Sequence, residues 1–138
     1  MAAMAMSTSI APGRALFMLA GALVSLPAFA QANPGQQFPD VIDVKVRTAA
    51  RDAFDFDVTV SSPYETPSRY ADAFRVAAPS GQVLGERILF HDHQNEQPFT
   101  RDLYNVRIPA SVSVVVVQAR DRKHGYGGKS VQVRLPGR

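Results

Sequence analysis

Apolar and polar residues alternate with a period of two through most of the chain beyond residue 40. In VIDVKVRT (41–48), Ile42, Val44 and Val46 fall on one side and Asp43, Lys45 and Arg47 on the other, the pattern of a strand with one wet face. AFDFDVTVS (53–61) repeats it more cleanly, with Phe54, Phe56, Val58 and Val60 toward a core and Asp55, Asp57 and Thr59 toward water. Pro63 and Pro67 keep SSPYETPSRY (61–70) from continuing the sheet, since proline cannot donate to a strand ladder. A third strand is predicted from Ala73 to Ala78, with Phe74 and Val76 inside. Pro79-Ser80-Gly81-Gln82 then closes a tight turn, with Gly81 free to take a positive φ. The fourth strand runs from Val83 to about His91, and the fifth from about Thr100 to Ile108, stopping at Pro109. VSVVVVQAR (112–120) is apolar on both faces, as a central strand should be. Asp121 to Lys129 reads as a glycine-rich loop, and Ser130 to Leu135 as a last strand with Val131, Val133 and Leu135 inward.

Seven short, regularly spaced strands with no helical pattern between them predict an all-β fold, a seven-stranded immunoglobulin-like or fibronectin-like β-sandwich. A small barrel is the alternative. A strand ending in Ile108-Pro109, then VSVVVVQARD, a glycine turn and VQVRL together resemble the terminal hairpin region of bacterial immunoglobulin-like domains. The blocks HDHQNEQPFTR and HGYGGK are similar to those of an uncharacterised group of small secreted bacterial proteins, a resemblance that implies no particular activity.

The start of the chain has a different pattern. Arg14 precedes the apolar run ALFMLAGALVSL (15–26), and Pro27 precedes Ala28-Phe29-Ala30. This is the order of a secretory signal peptide spanning residues 1–30, with cleavage expected after Ala30. The apolar run is shorter than the roughly 20 residues that span a bilayer, so the expectation is a periplasmic or secreted protein without a stable membrane anchor. Residues 31–40 then form an extended arm and 41–136 a single domain, expected to be a monomer. There is no cysteine, which leaves no residue for a disulfide framework or a cysteine-linked lipid. Lys and Arg number 15 and Asp and Glu 12. With Arg14 removed, the balance is 14 minus 12, or +2, too mild and too scattered to indicate nucleic acid.

Candidate chemistry concentrates in FHDHQNEQPFTR (90–101). Side chains two apart on a strand share a face, about 6–7 Å from one another, so His91 and His93 are placed to share an ion. With the strands lettered A, B, C, C′, E, F and G, the two histidines end C′ and His124 lies between F and G. Tyr64 and Glu65 lie between B and C, so all of these positions fall at one pole of the sandwich. His91, His93 and His124 with Glu96 as candidate fourth ligand, or two of the imidazoles with Glu96 or Asp92, would suit Cu(II) or Zn(II), in a site that weakens as pH falls below about 6. The same segment also reads as a connection bonded to itself. In that reading Gln94, Asn95 and Gln97 supply hydrogen bonds, Pro98 fixes the exit, Arg101 pairs with Glu96 or Asp102, and Phe99 pins the loop. Gly125, Gly127 and Gly128 precede no helix that could hold a phosphate. No nucleophile motif is present, and no catalytic residue is assigned. The sequence therefore predicts a non-catalytic binding or accessory module for a protein or glycan partner, with Tyr64, Asn95, Arg101 and Tyr126 as contacts. The alternative is a transition-metal binding protein.

Overall fold

A computed structural model describes residues 35–138, so the expected signal peptide lies outside the described residues. Seven strands are present: β1 (Asp40–Ala50), β2 (Ala53–Ser61), β3 (Ala71–Ala77), β4 (Val83–Ile88), β5 (Phe99–Arg107), β6 (Val114–Asp121) and β7 (Gly125–Arg134). They form two antiparallel sheets, ordered β1-β2-β5 and β4-β3-β6-β7. The described residues include no helix. This is the A-B-E and C′-C-F-G arrangement of the expected β-sandwich.

The alternating side chains of facing strands meet between the sheets. Phe56, Val58 and Val60 of β2 face the layer that holds Phe74 and Val76 of β3 and Val115 and Val117 of β6, and all seven are fully buried. Each such side chain contributes roughly 1.5–3 kcal/mol by leaving water. Strand β6 is interior to its sheet, as its apolar run implies. Val114 and Val116 on its outer side are only half-buried, because no further layer covers that face.

Four details differ from the period-two reading. Ile42 is 50% exposed and Val41 only 2%. The register jumps from Val41 opposite Val60 to Asp43 opposite Thr59, so Ile42 is the extra residue of a β-bulge that shifts the inward set by one position. Strand β4 stops at Ile88 instead of His91, because Leu89 turns inward, is buried, and donates its N–H to the carbonyl of Asp72. Strand β3 begins at Ala71, and β6 begins at Val114 and runs through Asp121. The glycine segment is not a loop: β7 starts at Gly125, directly opposite Asp121, after a turn of three residues. Gly125 and Gly128 have φ of 84° and 72°, which glycine adopts without strain.

The two lateral sides are closed differently. On one, the N–H of Lys129 donates to Asp40 Oδ1 at 2.8 Å, and Pro39 O lies where a Cβ on Gly128 would have to go. On the other, Arg87 of β4 reaches across to the carboxylate of Asp102 and donates to its carbonyl at 2.8 Å. The bulge assignment predicts that Val41→Ala loses about 1–2 kcal/mol in urea unfolding. Ile42→Ala should stay within about 0.5 kcal/mol of the parent; the reverse order would place Ile42 in the core and remove the bulge.

Candidate functional site

Three connections meet at one pole: β2 to β3 (62–70), β5's approach (89–98) and the β6–β7 turn (122–124). Their shared problem is a set of main-chain N–H groups with no ladder partner, and two buried carboxylates solve it. The side chain of Glu65 is fully enclosed. Its Oε2 accepts from the hydroxyl of Ser62 and, at 3.3 Å, from the N–H of Ala71. Its Oε1 accepts from the N–H of His93 at 2.8 Å. Gln97 adds a second set of clamps. Its Oε1 accepts from Ser62 N–H at 2.8 Å, and its Nε2 donates to His93 O at 3.1 Å and to Ser62 Oγ at 3.3 Å.

Asp121, also fully buried, serves the other half of the pole. Its Oδ2 accepts from the N–H groups of Lys123 and His124, both at 2.9 Å, which is an Asx turn that makes the hairpin tight. Its Oδ1 accepts from the hydroxyl of Tyr64 at 2.6 Å and lies 3.4 Å from Arg69 Nε. The Arg69 guanidinium stacks over the Tyr64 ring at 4.1 Å and also holds the carbonyls of Gln36 and Gln37.

Burial differs from neutralisation at these groups. Burial alone raises the Asp121 carboxyl, yet the donors from Tyr64, His124 and Lys123, with Arg69, outweigh it and hold the pKa below the usual carboxylate value. At Glu65 burial outweighs the bonds from Ser62, His93 and Ala71, and the pKa is raised. Tyr64 is raised too, by burial first and then by its bond to Asp121.

The histidines do not form one cluster. The imidazole of His93 is buried and stacked on Phe99 with ring centroids 4.0 Å apart. The exposed ring of His91 lies 4.8 Å from that of His93. His93 Nδ1 is buried without a hydrogen-bond partner, 3.9 Å from Glu65 Oε1. Burial, then the charges of Arg101 and His91, lower the pKa of His93, so the imidazole is neutral and this contact is not an ion pair. His124 is exposed and packs edge-on against Phe38 of the arm at 6.0 Å. Among the described residues, no group of three or more His, Asp or Glu is arranged to hold a metal ion.

The other expected positions have separate neighbours. Glu96 is engaged by Arg101 through two bonds of 2.9 and 3.2 Å, and Asn95 is exposed. Tyr64 is an internal pin. Tyr126 lies on the outer face of the four-stranded sheet, where it donates to Glu86 Oε2 at 2.8 Å under the Arg75 guanidinium at 3.8 Å. The residues that organise the pole, Glu65 and Asp121, were not singled out as a pair by composition or motif. Two spacings do carry their signal. Ser62-x-x-Glu65 has the form of a capping box, and Asp121 stands three residues before His124 ahead of a glycine.

Glu65→Ala would leave one hydroxyl and two N–H groups without an acceptor and should cost roughly 3–5 kcal/mol in chemical unfolding. Glu96→Ala, at an exposed pair, should cost less than about 1 kcal/mol; similar losses in the two variants would contradict the central place of Glu65. The pH dependence has opposite signs at the two partners. Because His93 has a lowered native pKa, the unfolded chain takes up a proton first as pH falls below about 6.5, and the stability contributed by neutral His93 is lost there. The native state of Glu65 keeps its proton to higher pH than the unfolded chain, so its contribution falls as pH rises through about 4.5 toward the raised native value. Urea unfolding of His93→Gln should therefore lose less stability between about pH 7 and pH 5.5 than the parent does; an equal loss would show that His93 titrates as it does in the unfolded chain.

No protein-family model matches the chain, and no solved structure matches it. The chain is similar to a Halomicrobium mukohataei protein named "Putative lipoprotein", to which it is 36% identical over 94 residues, 68% of this chain and 46% of that protein. It thus spans less than half the length of this relative.

Proposed function

We propose that the chain is an extracytoplasmic, non-catalytic binding module that docks a protein partner along strand β4 and the loop that leaves it. The observation that carries this reading is the exposure of Phe90, which is 84% accessible immediately after β4. Val83 and Ile88 of the same strand are also exposed. In the described residues β4 is an edge of its sheet, hydrogen-bonded only to β3, so its outer N–H and C=O groups are free to pair. Exposed apolar side chains beside a free edge, with Glu86 between Val83 and Ile88, suit the addition of an extended segment, in which main-chain bonds give affinity and side-chain contacts give selectivity.

The loop pole supports this reading as scaffold. Glu65, Asp121 and Gln97 are spent on holding main chain in place, and Tyr64 on holding Asp121, which fixes the exit of β4 before a partner arrives. Preorganisation of that kind lowers the ordering cost of binding. The non-catalytic part rests on the same allocation, because the buried acids are occupied by structural donors and His93 is stacked inside. The name of the similar Halomicrobium protein, "Putative lipoprotein", supports a place outside the cytoplasm, as does the signal-peptide pattern of residues 1–30.

A photoreactive side chain placed at position 90 of the full chain, expressed in cells, should give a discrete protein adduct. The same group at Lys45, exposed on β1 of the other sheet, should not. Adducts of the same size from both positions, or none from position 90, would remove β4 as the docking edge.

A further inference from the structure

The pole opposite the histidine loop holds a second kind of site. Four oxygens converge there around the guanidinium of Arg138. Nη1 donates to the carbonyls of Pro109 at 2.6 Å and Val112 at 2.8 Å, and Nη2 donates to the carbonyl of Ile108 at 2.9 Å and to Asp52 Oδ1 at 2.6 Å. The guanidinium carbon lies 5.0 Å from the ring centroid of buried Phe54. A planar cation with paired donors fits this arrangement, whereas an ammonium, with three donors on one nitrogen, cannot reach all four oxygens.

The receptor is built without help from its occupant. Ile108 N–H donates to Asp52 O, Val112 N–H to Pro109 O, and Leu135 N–H to Ser113 O, each at 2.9 Å. Ile108 and Leu135 are buried in the core. Asp52 has a φ of 56°, a left-handed conformation that Asp tolerates better than most residues, and this holds it in the β1–β2 turn beside the 108–112 segment. Three carbonyls aimed at one point are poorly satisfied by anything but a cluster of donors.

We propose that this pole is a receptor for one guanidinium group, occupied in this chain by Arg138 and able to take an arginine side chain in trans when Arg138 leaves it. The ligand class is an alkylguanidinium; Asp52 supplies the charge, the three carbonyls the shape, and Phe54 the apolar floor.

Arg138→Ala in the full chain, titrated with ethylguanidinium and followed by the amide resonances of Asp52, Ile108 and Val112, tests it. Saturable shifts in the millimolar range are expected. Ethylammonium should bind at least about tenfold more weakly, since it lacks the paired donors. The parent protein and the Arg138→Ala, Asp52→Ala double variant should show no saturable shift. Equal response to the two cations, or to ethylguanidinium in the parent and the variant, would overturn the proposal. A second measurement needs no substitution. With four of its N–H donors bonded, Arg138 should show separate, slowly exchanging Nη resonances in the parent protein. A single averaged signal would mean that the receptor does not hold a guanidinium and would overturn the proposal whether or not the variant folds.

Discussion

Moving a carboxylate out of water is costly unless donors replace its lost hydration. At Glu65 those donors come from three places: Ser62 in its own turn, Ala71 at the start of β3, and His93 in the connection to β5. Each donor is itself a group that would be orphaned in the interior without the carboxylate. The dependence is mutual, so the interaction ties 62–71 to 89–98 more strictly than apolar contact would. Apolar surfaces tolerate sliding; a carboxylate with three fixed donors does not. Phe99, Leu89 and the stacked ring of His93 then fill the space on the core side.

Asp121 repeats the solution with a different charge balance. It has Arg69 beside it and a tyrosine hydroxyl at 2.6 Å, and its carboxyl stays below the ordinary pKa. Glu65 has hydrogen bonds but no close cation beyond a neutral imidazole, and its carboxyl is raised. Two acids in the same small region thus shift in opposite directions: burial dominates at Glu65, whereas at Asp121 the donors from Tyr64, His124 and Lys123, with Arg69 adding to them, outweigh it. Arg69 has a further effect, since by also holding the carbonyls of Gln36 and Gln37 it links the arm before β1 to the same pole.

The strands were legible because period-two alternation is a direct consequence of one-sided burial. β2 is the clearest case, with Phe54, Phe56, Val58 and Val60 all inside and its bounds at Ala53 and Ser61 as read. Ile42 was misread because a bulge changes the phase without leaving any mark in an apolar pair such as Val41-Ile42. The glycines at 125, 127 and 128 were read as loop because glycine is poor in strands. There they permit a tight hairpin and the close approach of Phe38 and Pro39, whose atoms occupy the space a Cβ would need. The histidine spacing was read on a different backbone path, although it did bring the rings of His91 and His93 to 4.8 Å from each other. It presupposed that β4 continued to His91, whereas the inward turn at Leu89 puts His91 outside and His93 inside. Charge pairing was more visible: Arg101 does meet Glu96, five positions away and within reach on any compact path.

The two ends of the sandwich use opposite chemistry for the same purpose. At one, buried anions gather N–H and O–H donors; at the other, a cation gathers carbonyl oxygens around Arg138. Loops of a small sandwich have few apolar residues with which to hold themselves, so charge-assisted hydrogen bonds, stronger than neutral ones, do that work. The consequence is that the principal charged side chains holding the two ends, Glu65, Asp121 and Arg138, are already engaged. The surface that retains unsatisfied bonding capacity is a sheet edge. On β4 that edge lies beside Val83, Ile88 and Phe90, three of the five large apolar side chains exposed among the described residues. Arg87 faces inward from the middle of the strand and is tied to Asp102 of β5, so its charge is directed across the sandwich, and Glu86, bonded by Tyr126, is the charge that remains on the outer side of this strand.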